Sequence, residues 1–113
     1  MQVVEMAGPG GGWRVLVPET RRERMRGLRD HPSPGPREAM LFRRCRSIQT
    51  FGLQHTIAVA FLDPRMRVVE VRRCPRGRIL RTRSRSARHA LECADVWAPR
   101  IGDRFSPAAR GPR

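Results

Sequence analysis

The sequence contains no lysine, no asparagine and no tyrosine, and its aromatic residues are two tryptophans and four phenylalanines. So few rings, scattered along the chain, weigh against a stacking platform of the kind that reads single-stranded nucleic acid. Cysteine is scarce too: Cys45, Cys74 and Cys93 are odd in number and form no Cys-x-x-Cys pair. No histidine stands at a zinc-finger spacing from them, so neither a metal site nor a cofactor is expected. Long apolar runs are absent. Ile57–Leu62 is six residues, far short of the ~18 that cross a bilayer. The first dozen residues lack the charged-then-apolar order of a secretion signal, and the thiols read as small apolar residues in a reducing cytoplasm.

Acidic residues are also few. Ten face 24 basic residues, all of them arginine, for a formal net charge of +14 in 113 residues. The missing residue types use A/T-rich codons and arginine uses G/C-rich ones, so genomic bias accounts for arginine in place of lysine. It does not account for the shortage of acids, and a surface this positive attracts polyanions. The length allows one domain and excludes a multidomain or coiled-coil chain.

Residues 1–12, rich in glycine toward their end, read as a flexible lead-in, and residues 106–113 as a flexible basic tail. Between them, residues 13–105 form a single domain of short segments. Residues 13–17 are a strand stopped by Pro18. Thr20, with Glu23 three residues on, makes a capping box for a helix over about 21–28, ending near Gly27 with Met25 and Leu28 on one face. Residues 31–36 hold three prolines and can only be loop. Strands follow at 39–42 and 48–53. Ile57–Leu62 is apolar throughout, like a strand covered on both faces. A tight turn at 63–66 returns it into a strand over 67–71. Residues 75–86 read as a basic loop, 90–93 as a strand, 95–99 as a single helical turn, and Gly102-Asp103 as a turn before Arg104-Phe105. The fold class implied is mainly β: a compact antiparallel β-sandwich or open barrel with one short N-terminal helix.

Few residues suggest chemistry. Ser47 and His55 are a candidate serine–histidine pair, but no nucleophile elbow or oxyanion glycines surround Ser47. Cys45 lies between Arg44 and Arg46, whose charges would favour a thiolate; the alternative is a half-buried thiol at a strand start. Asp63, in Asp-Pro, suits bonding its own turn. Glu92 and Asp103 suit pairing with arginines inside the fold. The alternating stretch 81–88, with Arg81, Arg83 and Arg85 among hydroxyl residues, could hold phosphates or serve as a charged, solvated edge. Arg21, Arg22, Arg24 and Arg26 form a second basic cluster.

The pieces in order, Thr20-x3-Arg24-x-Arg26-Gly27-Leu28, Ala39-Met-Leu-Phe42, Cys45-Arg-Ser-Ile-Gln-Thr-Phe-Gly52 and Ile57-x-Val-Ala-Phe-Leu-Asp63, resemble the domain of unknown function 192 family of bacteria and archaea. The Cys-Arg-Ser stretch resembles its actinobacterial branch. The likeness continues through Val68, Val69, Pro75, Ala90-Leu91-Glu92 and Ile101-Gly102-Asp103. It implies a small β-rich domain and no established reaction. It also implies that Arg24, Gly27, Leu28, Glu92, Gly102 and Asp103 are structural, with Arg24 partly internal and bridging Glu92 or Asp103. The chain departs from the family at Ala39, at Gln49 (a histidine in the branch), at Ala58 (the family acid) and at Arg76 (a tryptophan), as a divergent member would.

Three functional readings follow. The first is a non-catalytic binding or interaction module without a metal or cofactor. The second is electrostatic, non-specific nucleic-acid binding, which predicts a positive stripe joining residues 21–26 to 81–88. The third is a small-molecule enzyme, which predicts a pocket where Arg46, Ser47, Gln54, His55 and Asp63 converge. The resemblance adds a protein partner of the secretion or pilus type.

Overall fold

The computed structural model describes residues 1–30, 34–53 and 55–108. Gln54, His31 and the end of the expected tail, residues 109–113, lie outside them. The chain opens on a hairpin of β1 (Gln2–Gly8) and β2 (Gly11–Val17), antiparallel from Gln2–Val17 to Gly8–Gly11. The glycine-rich start is therefore not a loose lead-in. Pro9 and Gly10 make its turn, and Gly10 takes a φ of 80°, a conformation that favours glycine at the third position of a turn. Gly8 must also lack a side chain, since a Cβ there would stand 2.8 Å from both Trp13 and Phe105.

Pro18 ends β2, and the capping box forms as expected: Thr20 Oγ1 accepts from Glu23 N at 3.1 Å, and Glu23 Oε1 accepts from Thr20 N at 2.9 Å. The helix α1 (Arg21–Arg26) stops at Gly27, whose φ is 53°. A 3-10 turn (Gly27–Asp30) follows, and β3 (Glu38–Phe42) then pairs with β2 in parallel. An all-antiparallel arrangement fails at this one pair because the connection carries a helix and can cross over the sheet.

Next come β4 (Ser47–Gln49), β5 (Ile57–Leu62) and β6 (Val68–Cys74). The β5–β6 hairpin turns through Asp63, whose Oδ1 accepts from Arg65 N at 2.8 Å and Arg67 N at 3.0 Å. Inside the expected basic loop lies β7 (Ile79–Arg81), antiparallel to β4. Its pairing is fixed by Thr50, a buried residue whose hydroxyl donates to Pro75 O at 2.7 Å and accepts from Arg78 N at 2.9 Å. Thr50 thereby ends β4 at Gln49, four residues short of the expected strand end at 53. Finally β8 (His89–Ala94) inserts between β3 and β5, and β9 (Ser106–Pro107), at the start of the expected tail, pairs with β1.

The result is mainly β: a curled, half-barrel sheet of seven strands in the order β6-β5-β8-β3-β2-β1-β9, with the β4–β7 pair beside it. Both faces of its centre are covered. Ala58, Ala60 and Leu62 of β5 pack on one side with Trp13, Val15, Leu91 and Phe105. Ile57, Val59 and Phe61 pack on the other with Leu28, Met40, Phe42 and Ile48. Trp13 and Phe105 meet edge to face with ring centroids 5.1 Å apart, and Trp13 Nε1 donates to Pro9 O at 2.9 Å. No helix among the described residues is long and apolar enough to cross a membrane.

Candidate functional site

One position on the second core face is not apolar. In β8, Glu92 pairs across the sheet with Met40 on one side and Val59 on the other, so its side chain shares their face. It is 3% exposed, and among the described residues its Oε2 has no hydrogen-bond partner. Burial pushes its carboxyl up to about 8, so near neutral pH it carries its proton and can both donate and accept.

Glu92 forms part of the floor of a cavity of about 240 Å³ between α1 and β4. Leu28, Phe42, Ile48 and Leu53 give it apolar walls, with Met25 and Phe51, both exposed, at its edge. Gly27 brings the end of α1 down onto the acid: a Cβ there would lie 3.7 Å from Glu92 Oε2 and 3.5 Å from Phe42 Cζ. Gln49 closes the side by donating from Nε2 to Met25 O at 3.4 Å and accepting from Phe51 N at 2.8 Å.

Arg24 lines the same cavity but forms no ion pair with Glu92 among the described residues. Its Nη2 donates to Arg43 O at 3.0 Å, and its guanidinium lies 6.0 Å from the Phe42 ring centroid. Asp103, the other acid expected to take it, accepts from Arg100 N at 2.7 Å within its own turn at Gly102. Arg24, Gly27, Leu28 and Glu92 thus meet around one hollow, where the sequence suggested an internal salt bridge.

The residues expected to converge in an enzyme pocket do not do so. Of that set only Ser47 lines the cavity. His55 is exposed and has no hydrogen bond to Ser47, Asp63 is held in its turn, and Gln54 lies outside the described residues. The Cys45 thiol donates to Ser47 O at 3.1 Å, and burial raises its pKa despite the Arg24 charge nearby. Desolvation outweighs the cations, so Cys45 is a thiol and not a poised nucleophile. Among the described residues no three His, Cys, Asp or Glu side chains gather as a metal site requires.

Arg46, although exposed, bonds within the chain. Its Nη2 donates to Ser84 O at 3.1 Å and its Nη1 to Ala87 O, pinning the 82–88 loop to the start of β4. Glu70 staples the loop's other end through Thr82 Oγ1 at 2.6 Å and Arg83 N at 2.9 Å. Replacing Arg46 by alanine should therefore cost about 1.5–3 kcal/mol, the range of a hydrogen bond to a charged donor. Urea unfolding would show it as a lowered midpoint, with faster amide exchange confined to residues 82–88. The side chains of Arg81, Arg83 and Arg85 remain exposed, and none has an acidic partner among the described residues. Because Gln49 ties β4 to α1 and Ser47 pairs with Arg81, both basic clusters adjoin β4.

The apolar wall escaped the sequence reading because Phe42, Ile48 and Leu53 look like ordinary strand residues. The one available signal was Glu92, an acid inside the otherwise apolar segment of β8.

Comparison with known proteins agrees with this architecture. A structure of a protein of unknown function from Novosphingobium aromaticivorans is similar at a TM-score of 0.78 with 18% identity, covering 94% of this chain and 86% of that one. A candidate transcription regulator from Sinorhizobium meliloti is similar at a TM-score of 0.72 with 16% identity, covering 92% and 91%. At these identities the likeness is one of fold. No curated protein matches the chain. The profile of DUF192, described as an uncharacterized ACR, matches residues 3–104. With nearly its whole length matched, the chain belongs to the DUF192 family.

Proposed function

We propose that this protein is a non-catalytic binding module whose cavity between α1 and β4 receives a small molecule. The observation that carries the reading is Glu92 Oε2, buried at the cavity floor without a partner among the described residues. An unsatisfied buried polar group costs free energy that packing alone does not return, and a ligand's hydrogen bond removes that cost. The free thiols of Cys45, Cys74 and Cys93 suit a reducing compartment, and we place the protein in the cytoplasm.

The test is a fragment library screened by amide chemical shifts of the intact protein. Ligands are expected to move the signals of Gly27, Phe42 and Glu92 together. A library that leaves all three unmoved would refute the reading.

A second reading, electrostatic contact with a polyanion, rests on the exposed arginines adjoining β4. Arg14, Arg72 and Arg73 are in ion pairs with acids, whereas the side chains of Arg81, Arg83 and Arg85 have no acidic partner among the described residues. Binding of this kind weakens steeply as salt is added.

A further inference from the structure

We propose that the cavity takes a small acyl-type molecule, with an uncharged carbonyl or amide against Glu92, an apolar body between Leu28, Phe42 and Ile48, and a carboxylate at Arg24. The inference rests on the binding reading above and names its ligand.

Three observations set the class. First, the floor presents a single buried carboxyl group with an unpartnered oxygen. Held neutral by burial, it matches a ligand amide or carbonyl, to which it can donate its proton while accepting an N–H in return. Second, the walls are hydrocarbon, and about 240 Å³ is below the roughly 300 Å³ at which pockets for drug-sized molecules begin. The guest is therefore a small molecule the size of an acylated amino acid. Third, the charge at the mouth is positive. Arg24 is half-buried and held by Arg43 O and the Phe42 ring, and these contacts occupy one of its five N–H donors and one face of its plane. A planar cation fixed in this way is prepared to receive a carboxylate. The same cation, on a chain of net charge +14, opposes a cationic guest even though an acid lies below.

The charged and titratable groups packed around Glu92 are Arg24 and Arg26 on α1, Cys45 before β4, Cys74 on β6 and Cys93 on β8. Burial raises all three thiols. Glu92 is thus the group of this set that changes charge between neutral pH and about 9, and its ionisation removes the donor that the ligand needs.

The experiment is calorimetric titration of the intact protein with N-acetyl-L-leucine, N-acetyl-L-leucinamide and L-leucinamide. It uses the wild type, Arg24→Gln and Glu92→Gln, with thermal melts to confirm folding. N-acetyl-L-leucine should bind about tenfold or more tightly than its amide, and Arg24→Gln should abolish that difference. Affinity should fall about tenfold per pH unit once the pH passes the Glu92 titration, and Glu92→Gln should bind without that fall. A longer acetylated peptide ending in leucine should bind more weakly, because the proposal is for a free small molecule; equal binding would overturn that part. Tighter binding of L-leucinamide, which carries an ammonium group, would overturn the charge assignment. If no acylated probe moves Gly27 and Glu92 while another library molecule does, the ligand class is wrong and the binding reading stands. If nothing moves them, the binding reading itself fails.

Discussion

Raising the pH from about 5.5 to 8 is expected to destabilise the wild-type protein by about 3 kcal/mol, and to have no such effect on Glu92→Gln. In the unfolded chain the Glu92 carboxyl titrates near its ordinary value of 4.5, and in the fold burial raises it to about 8. Below pH 4.5 both states hold the proton and no penalty exists. Between the two values the folded state keeps a proton that the unfolded state has released, so each pH unit upward costs about 1.4 kcal/mol. Above about 8 both states are ionised and the loss levels off, on the order of 5 kcal/mol. That is a large share of the 5–15 kcal/mol that holds a domain of this size together. Other groups run the opposite way. Burial and the Arg43 and Arg44 charges lower the His89 pKa, so its contribution is present above 6.5 and is lost as the pH falls. Glu23, held to about 2 by the N-terminal ammonium and by the amides of Thr20 and Glu19, loses its contribution only in stronger acid. The difference between wild type and Glu92→Gln removes both. Thermal melts at the two pH values should show a wild-type drop on the order of 10 °C. Parallel curves for the two proteins would mean that Glu92 is not a buried neutral acid.

This acid also marks where sequence reasoning stopped. Much of the frame was legible because it is written locally. Six consecutive apolar residues in β5 require cover on both faces, Asp63-Pro64 requires a turn, and Thr20 with Glu23 requires a helix start; all three are present. What was hidden depended on partners distant in the chain. β1 reads as a loose start because the Gly10–Gly12 run masks a Pro-Gly turn, and only the pairing with β2 and β9 reveals a strand. β7 carries arginines at both flanks and looks solvated, yet Leu80 is buried against the second core face, opposite Ile48. The parallel β2–β3 pair cannot be read from either strand, since its direction is set by the crossover between them. At the site, family resemblance brought Arg24, Gly27, Leu28 and Glu92 together. Pairing rules then suggested a salt bridge, because a buried acid beside an arginine normally forms one. Instead Arg24 is drawn off by the Arg43 carbonyl and the Phe42 ring, and the acid is left facing a hollow. That choice is three-dimensional, and no spacing in the sequence encodes it.

Replacing Phe61 by alanine should cost about 3–5 kcal/mol, enough to leave the protein largely unfolded under mild denaturant. Phe61 is fully buried in β5, paired with Glu70 on β6 and with Ala90 on β8. Its ring fills the second core face opposite a residue as small as Ala90, which is too small to close over the space. The loss therefore combines removed hydrocarbon burial with a cavity that cannot collapse. Ile79 offers the contrast. It is apolar and lies on β7, but it is 70% exposed, and Ile79→Ala should change stability by less than about 0.5 kcal/mol. Urea unfolding of the two variants would measure the gap directly. The Phe61 vacancy has a second consequence, because Glu92 stands two residues along β8 from Ala90 on the same face. A core that relaxes into the vacancy shifts the floor of the α1–β4 cavity, so any variant that still folds should bind the acylated probes more weakly than wild type while Ile79→Ala binds them unchanged. A loss below about 1.5 kcal/mol at Phe61 would mean that the second face is not closed, and the cavity would then lack the rigid floor on which its selectivity depends.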